Sequence, residues 1–224
     1  MDLSGFLGGN KDQFQWLLDP VYGPGSGLKI DLGKNNPDIA SMDFYSMKEL
    51  ETYILKLLRE HGKKFAYGGY GESREFYKRS PLFLQGEPRI IHLGTDFWLP
   101  AFTAIHLPCN GRIRYITDHT GRGNYGPTII TEHHLNRHSF FLLFGHLSRA
   151  SLDPESRGIM KEQGEIIGYL GDYDENGDWP PHLHFQIIHK LKDDSGDYPG
   201  VAAVHESQSY LNNCPDPSLI FNIE

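Results

Sequence analysis

At 224 residues, with 38% hydrophobic and 22% charged, the chain has the length for one domain with a sizeable core, or a core domain plus an extension. Its 21 Lys and Arg against 29 Asp and Glu leave a formal net charge of -8, which argues against a nucleic-acid partner and against adhesion to anionic surfaces. No stretch approaches the length of a transmembrane helix, so no membrane span is expected.

The N-terminus, MDLSGFLGGNKDQFQWLLDP, has neither a basic start nor a continuous apolar run, so no secretory leader is read there and a cytoplasmic location is favoured. A chain trimmed of its leader would read the same, which leaves periplasm and secretion open. The 25 Gly and 14 Pro imply many turns and point to a mainly β fold. Cys109 and Cys214 lie far apart and form no CxxC, so a buried, small apolar role is expected of each.

In chain order, Leu28-Lys29-Ile30-Asp31-Leu32 alternates as a half-buried strand does, between the turn clusters Gly23–Gly27 and Gly33–Pro37. From Met47 to His61, Leu50, Tyr53, Ile54, Leu57 and Leu58 recur on one helical face. Ser46 is expected as N-cap and Gly62 as the stop. From about residue 89, short apolar runs separated by Gly and Asn predict strands at Arg89–Leu93, Thr103–Leu107, Arg112–Thr117, Thr128–His133, Phe140–Gly145, Glu165–Leu170 and His182–His189. Such spacing indicates a β-sheet sandwich or barrel-like core. Residues 121–126 read as a hairpin loop, and the acidic run 172–178 as a solvated turn.

Twelve histidines are many for this length, and three stretches concentrate the chemistry: His92-Leu93-Gly94-Thr95-Asp96, Phe144-Gly145-His146-Leu147-Ser148 and Pro181-His182-Leu183-His184-Phe185. Residues two apart on a strand share a face, so His182 and His184 project together with Leu183 turned into the core. A turn at Gly94 can bring the Asp96 carboxylate back beside His92. Two histidines and an aspartate are zinc's usual nitrogen and oxygen ligands, and three protein ligands with an open position mark a catalytic site. GxSxG and HExxH are both absent, so neither a serine elbow nor a helix-borne glutamate base is available.

HLGTD, FGHLS and PHLHF, in this order, resemble the lysostaphin/LytM-type zinc metallopeptidases, peptidase family M23. Asn110–Ile113, the glycine-rich Gly123–Ile130 and Gln163–Gly168 support the likeness, which covers about residues 89–190. The flanking stretches Gly68–Arg74, Glu175–Pro181, Tyr198–Val201 and Cys214–Pro217 are similar to a subgroup of this family found fused to class III aminotransferase-like domains.

The resemblance implies an antiparallel β-sheet core of the LytM/duplicated-hybrid-motif type over 89–190. Residues 1–88 would form an N-terminal extension with one helix at about 46–62, and 191–224 a C-terminal extension packed on the core. It also implies that His92, Asp96 and His184 bind Zn2+ and that His146 and His182 are catalytic, with a peptide or peptidoglycan-derived substrate. Two other readings stand beside it: a non-cleaving binding or regulatory module, and a zinc hydrolase of a small amino-acid-derived metabolite. Trp98 and Trp179 flank the outer motifs as candidate walls. Tyr67 and Tyr70 are expected to pack, His133, His134 and His138 to be solvated, and His106, His119, His189 and His205 to be structural.

Overall fold

Alternation along one strand organises the molecule. In the computed structural model, which describes residues 2–42, 44 and 46–223, His182–Ile188 is a strand buried over its whole length. Leu183, Phe185 and Ile187 point into the main core, while His182, His184, Gln186 and Ile188 occupy the other face. Each large apolar side chain so buried contributes about 1.5–3 kcal/mol relative to exposure, which pins the register.

Twelve strands are present among the described residues: β1 Gly27–Lys29, β2 Phe65–Gly68, β3 Arg89–His92, β4 Thr95–Trp98, β5 Ala104–His106 and β6 Gly111–His119, then β7 Gly126–Leu135, β8 His138–Gly145, β9 Met160–Lys161, β10 Ile166–Tyr169, β11 His182–Ile188 and β12 Val201–Ala203. Eight form one sheet in the order β1-β2-β4-β11-β8-β7-β6-β9, antiparallel except for the β1–β2 pair. β10 pairs with β5 and β12 with β3 in two small antiparallel sheets. The fold is mainly β, as expected. The main sheet, however, ends at β1 and β9 rather than closing into a barrel.

Each of the seven strands expected after residue 89 is present, with ends shifted by one or two residues. β2, β4, β9 and β12 were not foreseen. All four residues of β4 are buried, so they lack the apolar–polar alternation that betrays a half-exposed strand.

The predicted helix is Lys48–His61, stopped by Gly62 in the left-handed conformation at φ 62°. Its N-cap is Met47 rather than Ser46, whose hydroxyl still accepts from the Lys48 N–H at 3.4 Å. Shorter helices at Leu3–Gly9, Pro37–Ala40 and Ser207–Asn213 were not read from the sequence.

Residues before 89 do more than flank the sheet. β2 lies beside β4, and Phe14, Leu17, Leu18 and Phe65 join Ile220 and Phe221 in the main core. Both cysteines are free and buried, as expected. No helix among the described residues is long and apolar enough to cross a membrane.

Candidate active site

Strand register assembles the site. β4 and β11 run antiparallel with Asp96 opposite His184 and Trp98 opposite His182, and on the far side of β11 His184 faces Gly145 of β8. His92 ends β3, which lies in a different sheet. Leu93 and Gly94 carry the chain from one sheet to the other. A Cβ on Gly94 would come within 2.8 Å of the His184 ring, so this close approach needs glycine. Asp96 therefore reaches His92 from an adjoining strand rather than from a turn.

Three donor atoms converge. His92 Nε2 lies 2.9 Å from His184 Nδ1 and 3.2 Å from Asp96 Oδ1, and His184 Nδ1 lies 3.1 Å from the same carboxylate oxygen. Four ligands held tetrahedrally at about 2.0–2.1 Å from zinc would stand about 3.3 Å apart, so this triangle has nearly the size of one tetrahedral face. The three residues form a group that could hold a metal ion, and all are buried.

Each has its outer atom engaged. His92 Nδ1 donates to the Gly69 carbonyl at 2.9 Å, which leaves Nε2 as the free nitrogen. Gln186 donates through its amide nitrogen to the Pro199 carbonyl and Cys214 Sγ, so its oxygen faces His184 Nε2–H at 2.9 Å and frees Nδ1. Asp96 Oδ2 accepts from Arg74 Nη1 at 2.5 Å. Such outer partners fix tautomer and orientation in metal sites.

Electrostatics leave His92 and Asp96 in the states a metal requires, neutral imidazole and ionised carboxylate. Burial lowers the His92 pKa to about 4, with Asp96 opposing. Burial alone would raise the Asp96 carboxyl, but His92 and Arg74 outweigh it and hold it well below the usual range. Arg74 is itself 1% exposed and also bonds Glu72, so a buried cation stands behind the carboxylate.

His146 and His182 lie beside the triangle, their ring centroids 4.2 Å apart. His146 ends β8 in the left-handed region at φ 63°, a conformation costly for a side-chain-bearing residue and frequent at functional sites. Its Nδ1 donates to the Asn176 carbonyl at 2.8 Å, and His182 Nδ1 donates to the Pro180 carbonyl at 2.7 Å. Both Nε2 atoms are thereby left as lone pairs, that of His182 lying 3.9 Å from Asp96 Oδ1. Burial lowers both pKa values. His146 falls well below the ordinary range because His182 and His184 add to the effect, while Asp96 opposes it at both residues.

The acidic run 172–178 is only partly the solvated turn expected of it. Asn176 is fully buried, its side chain bonding Gly171 and Trp179, and its carbonyl orients His146. Trp98 stacks on His182 and Trp179 meets His146 edge-on, so both tryptophans wall the site. Tyr67 and Tyr70 donate to the backbone carbonyls of Ile223 and Cys214, which are packing roles.

Of the three histidines expected in solvent, His134 is exposed and His138 stacks on Phe6. His133 is fully buried, bonded to Thr131 and the Asn110 carbonyl. Arg74, Gln186 and Asn176 were missed as contributors. Gln186 continues the His182/His184 face of β11, a signal that period-2 reading could have used. Arg74 carries no such spacing.

Comparison with known families matches residues 90–195, the span that holds all five motif residues, to peptidase family M23. Among solved structures, the catalytic domain of the antimicrobial peptidase lysostaphin from Staphylococcus simulans is 22% identical, over 69% of this chain and 96% of that one, at a TM-score of 0.43. The catalytic domain of a mutant form of the prophage-encoded M23 protein EnpA from Enterococcus faecalis is 18% identical over 62% and 88%, at 0.42. A zinc-containing peptidase from Vibrio cholerae is 22% identical over 54% of this chain and 34% of that one, at 0.38. No curated protein matches.

Proposed function

We propose that the chain is a zinc-dependent metallopeptidase, with His92, Asp96 and His184 holding the metal and His146 and His182 performing proton transfer. The observation that carries the reading is the donor triangle of 2.9, 3.1 and 3.2 Å, each of its residues braced from behind by a separate partner. Zinc bound there would supply Lewis acidity, which acidifies water and polarises a peptide carbonyl.

The remaining chemistry falls to the two other imidazoles. Both are neutral on substrate arrival, with Nε2 lone pairs free. One takes the proton of the attacking water. The imidazolium so formed presents an N–H to the developing oxyanion or the departing amine. The buried walls exclude bulk water and strengthen each of these interactions.

The substrate class is a peptide bond beside glycine or a D-amino acid, as in peptidoglycan cross-links, which the M23 match supports. Purified muropeptides and short glycine peptides, incubated with the protein with and without chelator and read by mass spectrometry, test this. Cleavage that chelator abolishes and zinc restores is expected. A zinc-loaded protein that cleaves neither class overturns the proposal.

A further inference from the structure

The reactive centre is shielded to a degree that bears on what reaches it. His146 and His182 are 5% exposed, and His92, Asp96 and His184 less. They line a cavity of about 140 Å3. A cavity of about 150 Å3 is filled by a benzene-sized molecule, whereas clefts for drug-sized ligands measure about 300–1,000 Å3. What fits beside the triangle is therefore about one small amino-acid residue.

The covering is a strap that starts and ends at the strand bearing His92. Ser73 bridges Ile91, and the Arg74 N–H donates to the Ile90 carbonyl. From there the chain crosses to the loops on the His146 side. Arg79 Nη2 donates to the Asp178 carbonyl at 2.9 Å, its Nη1 lies 3.4 Å from the Asp178 carboxylate, and its guanidinium sits 4.5 Å over the Trp179 ring. Ser80 Oγ donates to the Arg122 carbonyl at 3.0 Å. The chain then returns to β3 at Arg89. Phe76, Tyr77, Leu82 and Phe83 of this strap line the cavity together with Tyr125 and Tyr198.

An interior bond of a polymer can be cut only where the chain runs on in both directions, at about 3.3 Å per residue, past the reacting atoms. Here the strap ties the metal-ligand side to the catalytic-histidine side and obstructs one of those directions. We propose that this site cleaves short peptides or the ends of chains rather than intact cross-linked polymer, with the strap as the specificity-determining element and Arg79–Asp178 as its latch. The inference rests on the peptidase reading and goes beyond it in stating the size of the substrate.

The test compares soluble muropeptide fragments with the intact peptidoglycan from which they are made, and triglycine with hexaglycine, using zinc-loaded full-length protein. The wild type is expected to cleave the smaller member of each pair with a kcat/KM per bond at least about tenfold higher, within the range that pocket contacts provide. Arg79→Met and Asp178→Asn, checked for melting temperature and zinc content, should raise the rate on the larger members about tenfold and leave the smaller ones within about threefold. Asn suits the left-handed backbone at position 178, φ 64°, so the second variant guards against misfolding of the first. A wild type that cleaves polymer as fast as fragments overturns the inference and leaves the peptidase standing. Unchanged size preference in a folded variant removes the strap's role. A zinc-loaded wild type that cleaves nothing removes both.

Discussion

Replacing Arg74 with Met tests whether the buried cation is structural to the metal site. The Arg74 and Asp96 side chains are 2% and 3% exposed, and the guanidinium bonds Asp96 and Glu72 at once through Nη1 and Nε. Met preserves length and apolar bulk but leaves two shielded carboxylates without a counter-charge. Breaking a buried pair in this way costs about 3–5 kcal/mol. In a domain of this size each kcal/mol shifts the melting temperature by about 2–4 °C, so the metal-free variant should melt roughly 6–20 °C lower.

Two features separate this account from simple loss of packing. Arg74→Lys keeps the charge but cannot reach both carboxylates in the guanidinium's planar fork, so it should fall between Met and wild type. The deficit of Arg74→Met should also narrow as pH falls. Without Arg74, one of the groups that hold the Asp96 pKa down is gone, so burial weighs more and the folded variant takes up a proton at higher pH than the wild type does. Calorimetry of chelator-treated proteins at neutral pH and near pH 4 measures both. Melting within about 2 °C of wild type, or a deficit that is constant with pH, refutes the argument.

Asp96→Ala should lose most zinc affinity while the helix Lys48–His61 stays folded, by elemental analysis and circular dichroism; unchanged affinity would mean the wrong ligand is named. His146→Ala should keep zinc and fold and lose about 10²–10⁴ in turnover, and a stable, zinc-loaded, fully active variant removes it from the site. Gln186→Leu leaves the His184 Nε2–H without its acceptor and should weaken zinc binding about 10–100-fold in chelator competition, with equal affinity refuting the role. His133 has a folded pKa of about 4 against 6.5, so the unfolded chain binds a proton that the fold does not. Its contribution to stability is therefore full above pH 6.5 and declines as pH falls to 4, by about 1.4 kcal/mol per unit. His133→Gln should flatten the stability curve by that slope in this window, and parallel curves would refute it.

What was legible in the sequence followed from periodicity and motif order. His182 and His184 share a strand face because alternation is local, and Leu183 turns into the core for the same reason. The helix stop at Gly62 was legible because its chemistry lies at one position. Arg74 was not, since its meaning depends on a carboxylate 22 positions later that arrives on another strand. β4 escaped notice because full burial erases alternation. His133 was misjudged for a related reason. A His-His pair in a polar stretch reads as surface, yet neighbours on a strand face opposite ways, so His133 is buried while His134 is exposed.

The same rule explains why the site is built on β4 and β11 and tuned from elsewhere. Antiparallel register sets Asp96 against His184, and the large apolar core beneath resists any slip. A one-residue shift of β11 would turn both of its histidines into that core and expose Leu183 to the cavity. The ligands thus inherit the rigidity of the sheet. His146, by contrast, stands where β8 has just ended, in a left-handed conformation, with its ring aimed by a carbonyl of the 172–178 loop. Loops vary at less cost than registers. Substitutions that displace the Asn176 carbonyl should therefore alter proton transfer before they alter metal binding, whereas substitutions along the apolar face of β11 should remove both together.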